Sequence, residues 1–201
     1  YSLPGYARII SEVVTSLNLK SLILVGWSLG GHIALQAAPI IEALRGIVIY
    51  GTPPLDLPLE IEGKFFSNKL IEYAFTSQLS KKQATDFAKL FFSPNSNDDI
   101  NPFITDILKT DGNARVGLGD CINSSNYLNE VEIVNNLEIP LGIFHGKSEQ
   151  LVDYENFKKL TIPKLWRNSC QIIDEGGHAL HWQKADVFNQ FLDEFVNDVL
   201  F

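Results

Sequence analysis

Three residues have the types, order and surroundings needed to attack a carbonyl: Ser28, Glu149 and His178. Ser28 lies in Gly26-Trp27-Ser28-Leu29-Gly30, between the apolar run Leu22-Ile23-Leu24-Val25 and a stretch holding Ala34, Leu35, Ala37 and Ala38 in helical style. A buried strand that turns sharply into a helix through G-x-S-x-G is the pattern of a nucleophile elbow. The glycines follow from the geometry, since a side chain on either flank of so tight a turn would strike the adjoining strand or helix. The turn aims the hydroxyl outwards, above the positive end of the new helix. A hydroxyl is a weak nucleophile until a base takes its proton, and that base needs a third group to orient it.

His178 is the expected base. It sits in the loop Gly176-Gly177-His178, after an apolar strand and just before the last helix. Of the other histidines, His181 is expected to start that helix or pack with Trp182. His145 ends a strand and reads as a packed residue, and His32 falls inside the helix after the elbow. Glu149 is the preferred acid because a short loop separates it from the strand end Phe144-His145-Gly146, with Asp153 as the alternative. Asp174 and Glu175 read as loop charges. The backbone N–H of Leu29 is the expected oxyanion donor, and Trp27, beside the serine, is assigned to substrate binding.

The elements that must position these groups alternate. The spacing predicts a helix over 1–17, strands over 22–25 and 46–51, and a helix over 33–38, hence a parallel sheet with crossover helices. Residues 55–137 differ in being polar, Asn/Asp-rich and aromatic. Helices are expected over 68–78, 81–91 (capped by Ser80), 102–109 and 129–136. A stretch this long between two strands is read as a helical cap over the site. Phe65, Phe66, Tyr73, Phe75, Phe87, Phe91, Phe92 and Phe103 then form its core or line an apolar pocket. Strands return over 140–146 and 169–174, with a short helix over 156–160 and an amphipathic closing helix over 184–200. The division is therefore 1–54 and 138–201 for the core, and 55–137 for the cap.

Composition narrows the partners. With 201 residues, 45% of them hydrophobic, the chain can bury one real core. A net charge of -8 argues against nucleic acid and gives no attraction to anionic membranes. Cys121 and Cys170 form no redox or metal motif and read as separate reduced thiols, which suits a cytoplasmic protein. No run reaches membrane-spanning length and no secretory signal opens the chain. His178 and His181 lack the pattern of a helical zinc site, and no G-x-G-x-x-G follows a strand, so neither metal nor dinucleotide cofactor is expected.

With these parts in place, the chain resembles an α/β-hydrolase fold enzyme over essentially its whole length. More narrowly it resembles the metal-independent N-acyl-homoserine-lactone hydrolases of that superfamily. The stretches that carry the likeness are Tyr1-Ser2-Leu3-Pro4-Gly5-Tyr6-Ala7, Gly26 to Ile33, Gly51-Thr52-Pro53-Pro54, Thr110 to Arg115, Gly146-Lys147-Ser148-Glu149 and Gly177-His178-Ala179. The resemblance implies a triad of Ser28, His178 and Glu149 and a small acyl ester or lactone substrate. The chain departs from the family at Lys147-Ser148-Glu149, where Arg-Asp-Glu is typical, and in lacking the usual Glu and Pro after the histidine. Members of the fold also carry several strands ahead of the elbow, including the loop that supplies the second oxyanion donor. Their absence here, with no methionine anywhere in the chain, leads us to expect a longer natural protein, or another segment over the elbow strand's edge. Related parts also serve general carboxylesterases, C–C bond hydrolases, acyltransferases and non-catalytic ligand receptors.

Overall fold

The computed structural model describes residues 1–60 and 64–201; residues 61–63, inside the expected cap, lie outside the described part. In chain order the elements are α1 (Leu3–Ser16), β1 (Leu22–Trp27), α2 (Leu29–Ala37), β2 (Leu44–Tyr50), α3 (Lys81–Lys89), α4 (Asn101–Lys109), α5 (Gly112–Asn123) and α6 (Glu130–Asn135). They continue with β3 (Leu141–Gly146), α7 (Glu155–Lys158), β4 (Gln171–Ile173), α8 (Leu180–Gln183) and α9 (Ala185–Leu200).

The four strands are parallel and ordered β1-β2-β3-β4. The register sets Trp27 beside Tyr50, Tyr50 beside Phe144, and Gly146 beside Ile173. All four carboxyl ends therefore share one rim, which is where ligands collect in open α/β sheets. Helices cover both faces, so the central strands are apolar on both sides. Ile47, Ile49, Leu141 and Ile143 join Ala7, Val14, Ala34 and Leu35 on the face of α1 and α2. Val48, Tyr50 and Phe144 turn the other way, against Phe188 and Phe195 of α9. This is the two-residue alternation of a strand read off consecutive positions. β1 is an edge strand, and its Val25 is 44% exposed.

Local chemistry explains the helix ends. Ser2 caps α1 by accepting from the Gly5 N–H at 3.1 Å, with Pro4 in the first turn where its missing N–H costs nothing. Ser80 and Gln83 make a reciprocal capping box on α3, as the sequence suggested for Ser80. From residue 51 to residue 140 the described residues contain helices and no strand of the sheet. Ala84 and Ala88 of α3 pack there on Ile104 and Ile107 of α4.

One expected helix is shorter than its pattern, and two helices were not expected. Residues 68–78 form a shorter 3₁₀ helix over Lys69–Phe75, opened by Asn68. The helix α5 escaped notice because Gly112, Gly117 and Gly119 depress its propensity. Its start signal is Asp111, whose carboxylate accepts from the Asn113 N–H at 2.9 Å. The closing helix is found as α9, and the unexpected one-turn helix α8 precedes it across Lys184, whose backbone (φ -132°, ψ 44°) leaves the helical region.

Candidate active site

Ser28 is the junction between β1 and α2. It has φ 51° and ψ -117°, a conformation that costs a non-glycine residue of order 1–3 kcal/mol and persists only when its surroundings enforce it. Those surroundings are visible. The Ser28 N–H donates to the Tyr50 carbonyl at 2.9 Å, and the Thr52 hydroxyl donates to the Ser28 carbonyl at 2.8 Å. A Cβ at Gly26 would run into the backbone of Gly30 and Gly31, so the first glycine of the motif is a steric requirement. Leu29 opens α2, where a backbone N–H has no carbonyl one turn back to bond with and is free to face a developing negative charge.

Glu149 and His178 meet. The His178 Nδ1 lies 2.8 Å from the Glu149 Oε2, and both side chains are 2% exposed. The other carboxylate oxygen accepts from the N–H groups of Gln150 and Leu151, each at 2.9 Å. Both backbone bonds come from the loop after β3, so that loop itself helps aim the carboxylate. The ring itself fits because Gly51 (φ 60°) has no side chain; a Cβ there would come within 2.6 Å of His178 Nδ1. Burial alone would push the Glu149 carboxyl up. The attraction and hydrogen bond of His178, the Leu151 N–H and the charge of His145 outweigh it, and the group is held below its ordinary value.

A depressed carboxyl pKa means that folding favours the ionised form, and a pH dependence follows. The stabilisation is complete above the ordinary value of 4.5 and is lost as pH falls through the lower folded-state value. The thermal midpoint of the wild type should therefore fall more steeply with acid below that value than the midpoint of Glu149→Gln. Circular dichroism melts of the two proteins at a series of acid pH values check this. Parallel curves would contradict it.

The remaining histidines have other surroundings. His145 is buried against Tyr154 and Phe157, with ring centroids 5.4 and 5.9 Å away. Burial, and to a lesser degree the nearby His178, lower its pKa against the opposing pull of Glu149 and Asp153. His32 bonds through Nδ1 to the fully buried Glu130 at 2.7 Å. Glu130 also accepts from Gln36 and the Leu55 N–H, each at 3.0 Å, and so ties α2 to the chain after β2. Three hydrogen-bond partners satisfy both of its side-chain oxygens, which is how a fully buried glutamate is accommodated there. Of the two expectations for His181, a helix start or packing with Trp182, the structure is nearer the first: it lies in the short helix α8, just ahead of α9. Its ring lies 4.8 Å from that of Trp27 and 5.7 Å from that of Tyr50, and Trp182 packs on Phe103 at 5.2 Å.

Aromatic rings wall the rim. Trp27 has its centroid 5.5 Å from that of His178, 5.5 Å from that of Phe91 and 6.0 Å from that of Phe103. Two of the eight aromatics marked in the sequence, Phe91 and Phe103, thus reach the ring beside the elbow. Asp153 stays in its own loop and accepts from the Glu155 N–H at 3.0 Å. Asp174 and Glu175 pair with Lys147 and Lys184, each at 2.8 Å. Cys121 and Cys170 are both free thiols, and burial pushes the Cys170 thiol up to about 12. Among the described residues no helix is long and apolar enough to cross a membrane. Gln150 and Gln183, which hold these loops, were not recognisable from sequence, since nothing about an isolated glutamine signals its partners.

Comparison with known proteins agrees with this architecture. Residues 1–185 match the family model described as alpha/beta hydrolase fold. The solved structure of the N-acyl homoserine lactonase AidH in complex with N-butanoyl homoserine is 27% identical and superposes with a TM-score of 0.92. The match covers all of this chain and 72% of that one. An esterase from Exiguobacterium antarcticum (19% identity, TM-score 0.77, 95% of this chain and 72% of that chain) shares the fold. So does a meta-cleavage product hydrolase from Pseudomonas fluorescens IP01 (16%, 0.78, 98% and 72%). The chain belongs to the alpha/beta hydrolase fold family and is a hydrolase of that fold.

Proposed function

We propose that the protein is a serine hydrolase that opens a carboxylic ester or lactone through Ser28, His178 and Glu149. The observation that carries this reading is the buried Glu149–His178 pair at the sheet rim that also bears the strained Ser28 elbow. In the first step Ser28 Oγ attacks the carbonyl carbon as His178 Nε2 takes its proton. Glu149 holds the ring by Nδ1 and stabilises the imidazolium. The Leu29 N–H bonds the oxyanion. His178 then returns the proton to the leaving alkoxide, and water repeats the sequence on the acyl-enzyme.

The substrate we favour is an N-acyl homoserine lactone. The aromatic wall of Trp27, Phe91 and Phe103 suits an acyl chain, and AidH, described as a lactonase, supports the lactone. Residues 55–137 serve as the cap in this reading, and Trp27 as a substrate contact. The test is a pair of assays on the same preparation, N-hexanoyl homoserine lactone followed by ring opening and an aryl acetate followed by phenol release. We expect ring opening well above the uncatalysed rate. Acetate turnover with lactone opening at background would leave an esterase and overturn the lactone assignment.

A further inference from the structure

Two glutamines outside the proposed chemistry fasten the loops of Glu149 and His178 to one stretch of the helical segment. Gln183 stands at the end of α8. Its Oε1 accepts from the N–H groups of Ser93 at 2.9 Å and Gly177 at 3.0 Å. Its Nε2 donates to Asp98 Oδ2 at 2.8 Å, Ser93 Oγ at 3.1 Å and Ser96 Oγ at 3.3 Å. Two backbone donors require an oxygen at one end, so the partners themselves fix which way the amide points. Gln150, adjacent to Glu149, donates through Nε2 to the carbonyls of Phe92 at 2.6 Å and Lys89 at 3.3 Å. Between these, the Ala179 N–H donates to the Phe91 carbonyl at 2.7 Å.

Ala179 and Gln150, which adjoin His178 and Glu149, are therefore bonded directly to residues 89–98, and Gly177, on the other side of His178, is joined to them through the Gln183 amide. That stretch also carries Phe91, whose ring centroid lies 5.7 Å from that of His178. We infer that Gln183 is a positioning residue: a latch that keeps residues 89–98 and the His178 loop in one fixed relation, so that aromatic wall and base are set together. The inference rests on the serine-hydrolase reading. Its chemical content is that the amide is needed as both donor and acceptor. A carboxylate in the same place keeps the bonds to Ser93 and Gly177 N–H, loses both N–H donors that Asp98, Ser93 and Ser96 share, and faces the carboxylate of Asp98.

Gln183→Glu tests this, with Asp98→Asn/Gln183→Glu as its rescue, both assayed with an aryl acetate and by melting temperature. Displacing a catalytic group by about 1 Å can cost about 10²-fold in rate, so kcat of the single variant should fall between about tenfold and a hundredfold, with KM changing less. Two facing carboxylates raise one of their pKa values, so the deficit relative to wild type should shrink as pH is lowered. In the double variant the amide introduced at position 98 can donate to the carboxylate introduced at position 183, and most of the lost rate should return.

The hydrogen-bonded Nδ1 proton of His178, followed by NMR, should move in the single variant and return in the double. This resonance reports on the latch even in a protein that turns nothing over. An inactive wild type therefore counts against the hydrolase reading, and an unmoved resonance counts against the latch. Wild-type kcat in Gln183→Glu, or a deficit equal at every pH and not relieved by Asp98→Asn, overturns the inference. Failure of both variants to fold also overturns it, because the amide would then be a structural tie.

Discussion

Ser28→Ala should abolish hydrolysis while leaving the fold intact. Removing the activated serine of a triad lowers kcat by about 10⁶-fold, and what remains comes from binding and oxyanion stabilisation. The substitution is structurally mild because Ser28 holds its place through backbone groups. Its N–H bonds to the Tyr50 carbonyl, and its own carbonyl accepts from Thr52. Alanine adopts φ 51° at a cost similar to that of serine, so the melting temperature should change little. Steady-state rates and a melt on the same sample check both halves. A folded Ser28→Ala protein that retains more than a trace of turnover would remove Ser28 from the mechanism.

The second large effect is expected at Glu149. In Glu149→Gln the amide oxygen stays with the N–H groups of Gln150 and Leu151, which the carboxylate already serves. The amide nitrogen then faces His178 Nδ1, 2.8 Å away, and donates to it. A neutral ring that accepts at Nδ1 carries its proton on Nε2, where it cannot take one from the serine. The wrong tautomer at an otherwise preserved triad costs about 10⁴-fold in kcat. Asp153→Asn should remain near wild type, since an asparagine oxygen can still accept from the Glu155 N–H. Reversal of the two results would move the acid to Asp153.

How much of this was legible in the sequence depended on whether the signal was local. The elbow was legible through its first glycine, since a Cβ at Gly26 has no room; against expectation a Cβ at Gly30 would meet nothing within 4 Å, so the steric demand falls on one flank of the serine only. The strands were legible because those buried on both faces are continuous apolar runs, as β2 and β3 are. The helix α5 was hidden by three glycines whose helix penalty is offset by packing: Leu118 and Cys121 are buried with Leu3 and Tyr127. The pairing of Glu149 with His178 spans 29 residues and was expected from chain order and resemblance, because no local pattern fixes a contact between two loops. The Gln183 and Gln150 latches and the His32–Glu130 bond were beyond reach for the same reason. Each joins residues 58 to 98 positions apart, and side chains of those types occur throughout a surface.

The central claim is that Ser28 is a nucleophile activated by His178 and Glu149, and covalent trapping tests it most directly. The folded protein is exposed to a fluorophosphonate, its intact mass is measured, and the adduct is located by peptide mapping. The account predicts a single adduct on Ser28, absent in Ser28→Ala and formed far more slowly in Glu149→Gln. A folded wild type that stays unmodified, or carries its adduct on another residue, would contradict it.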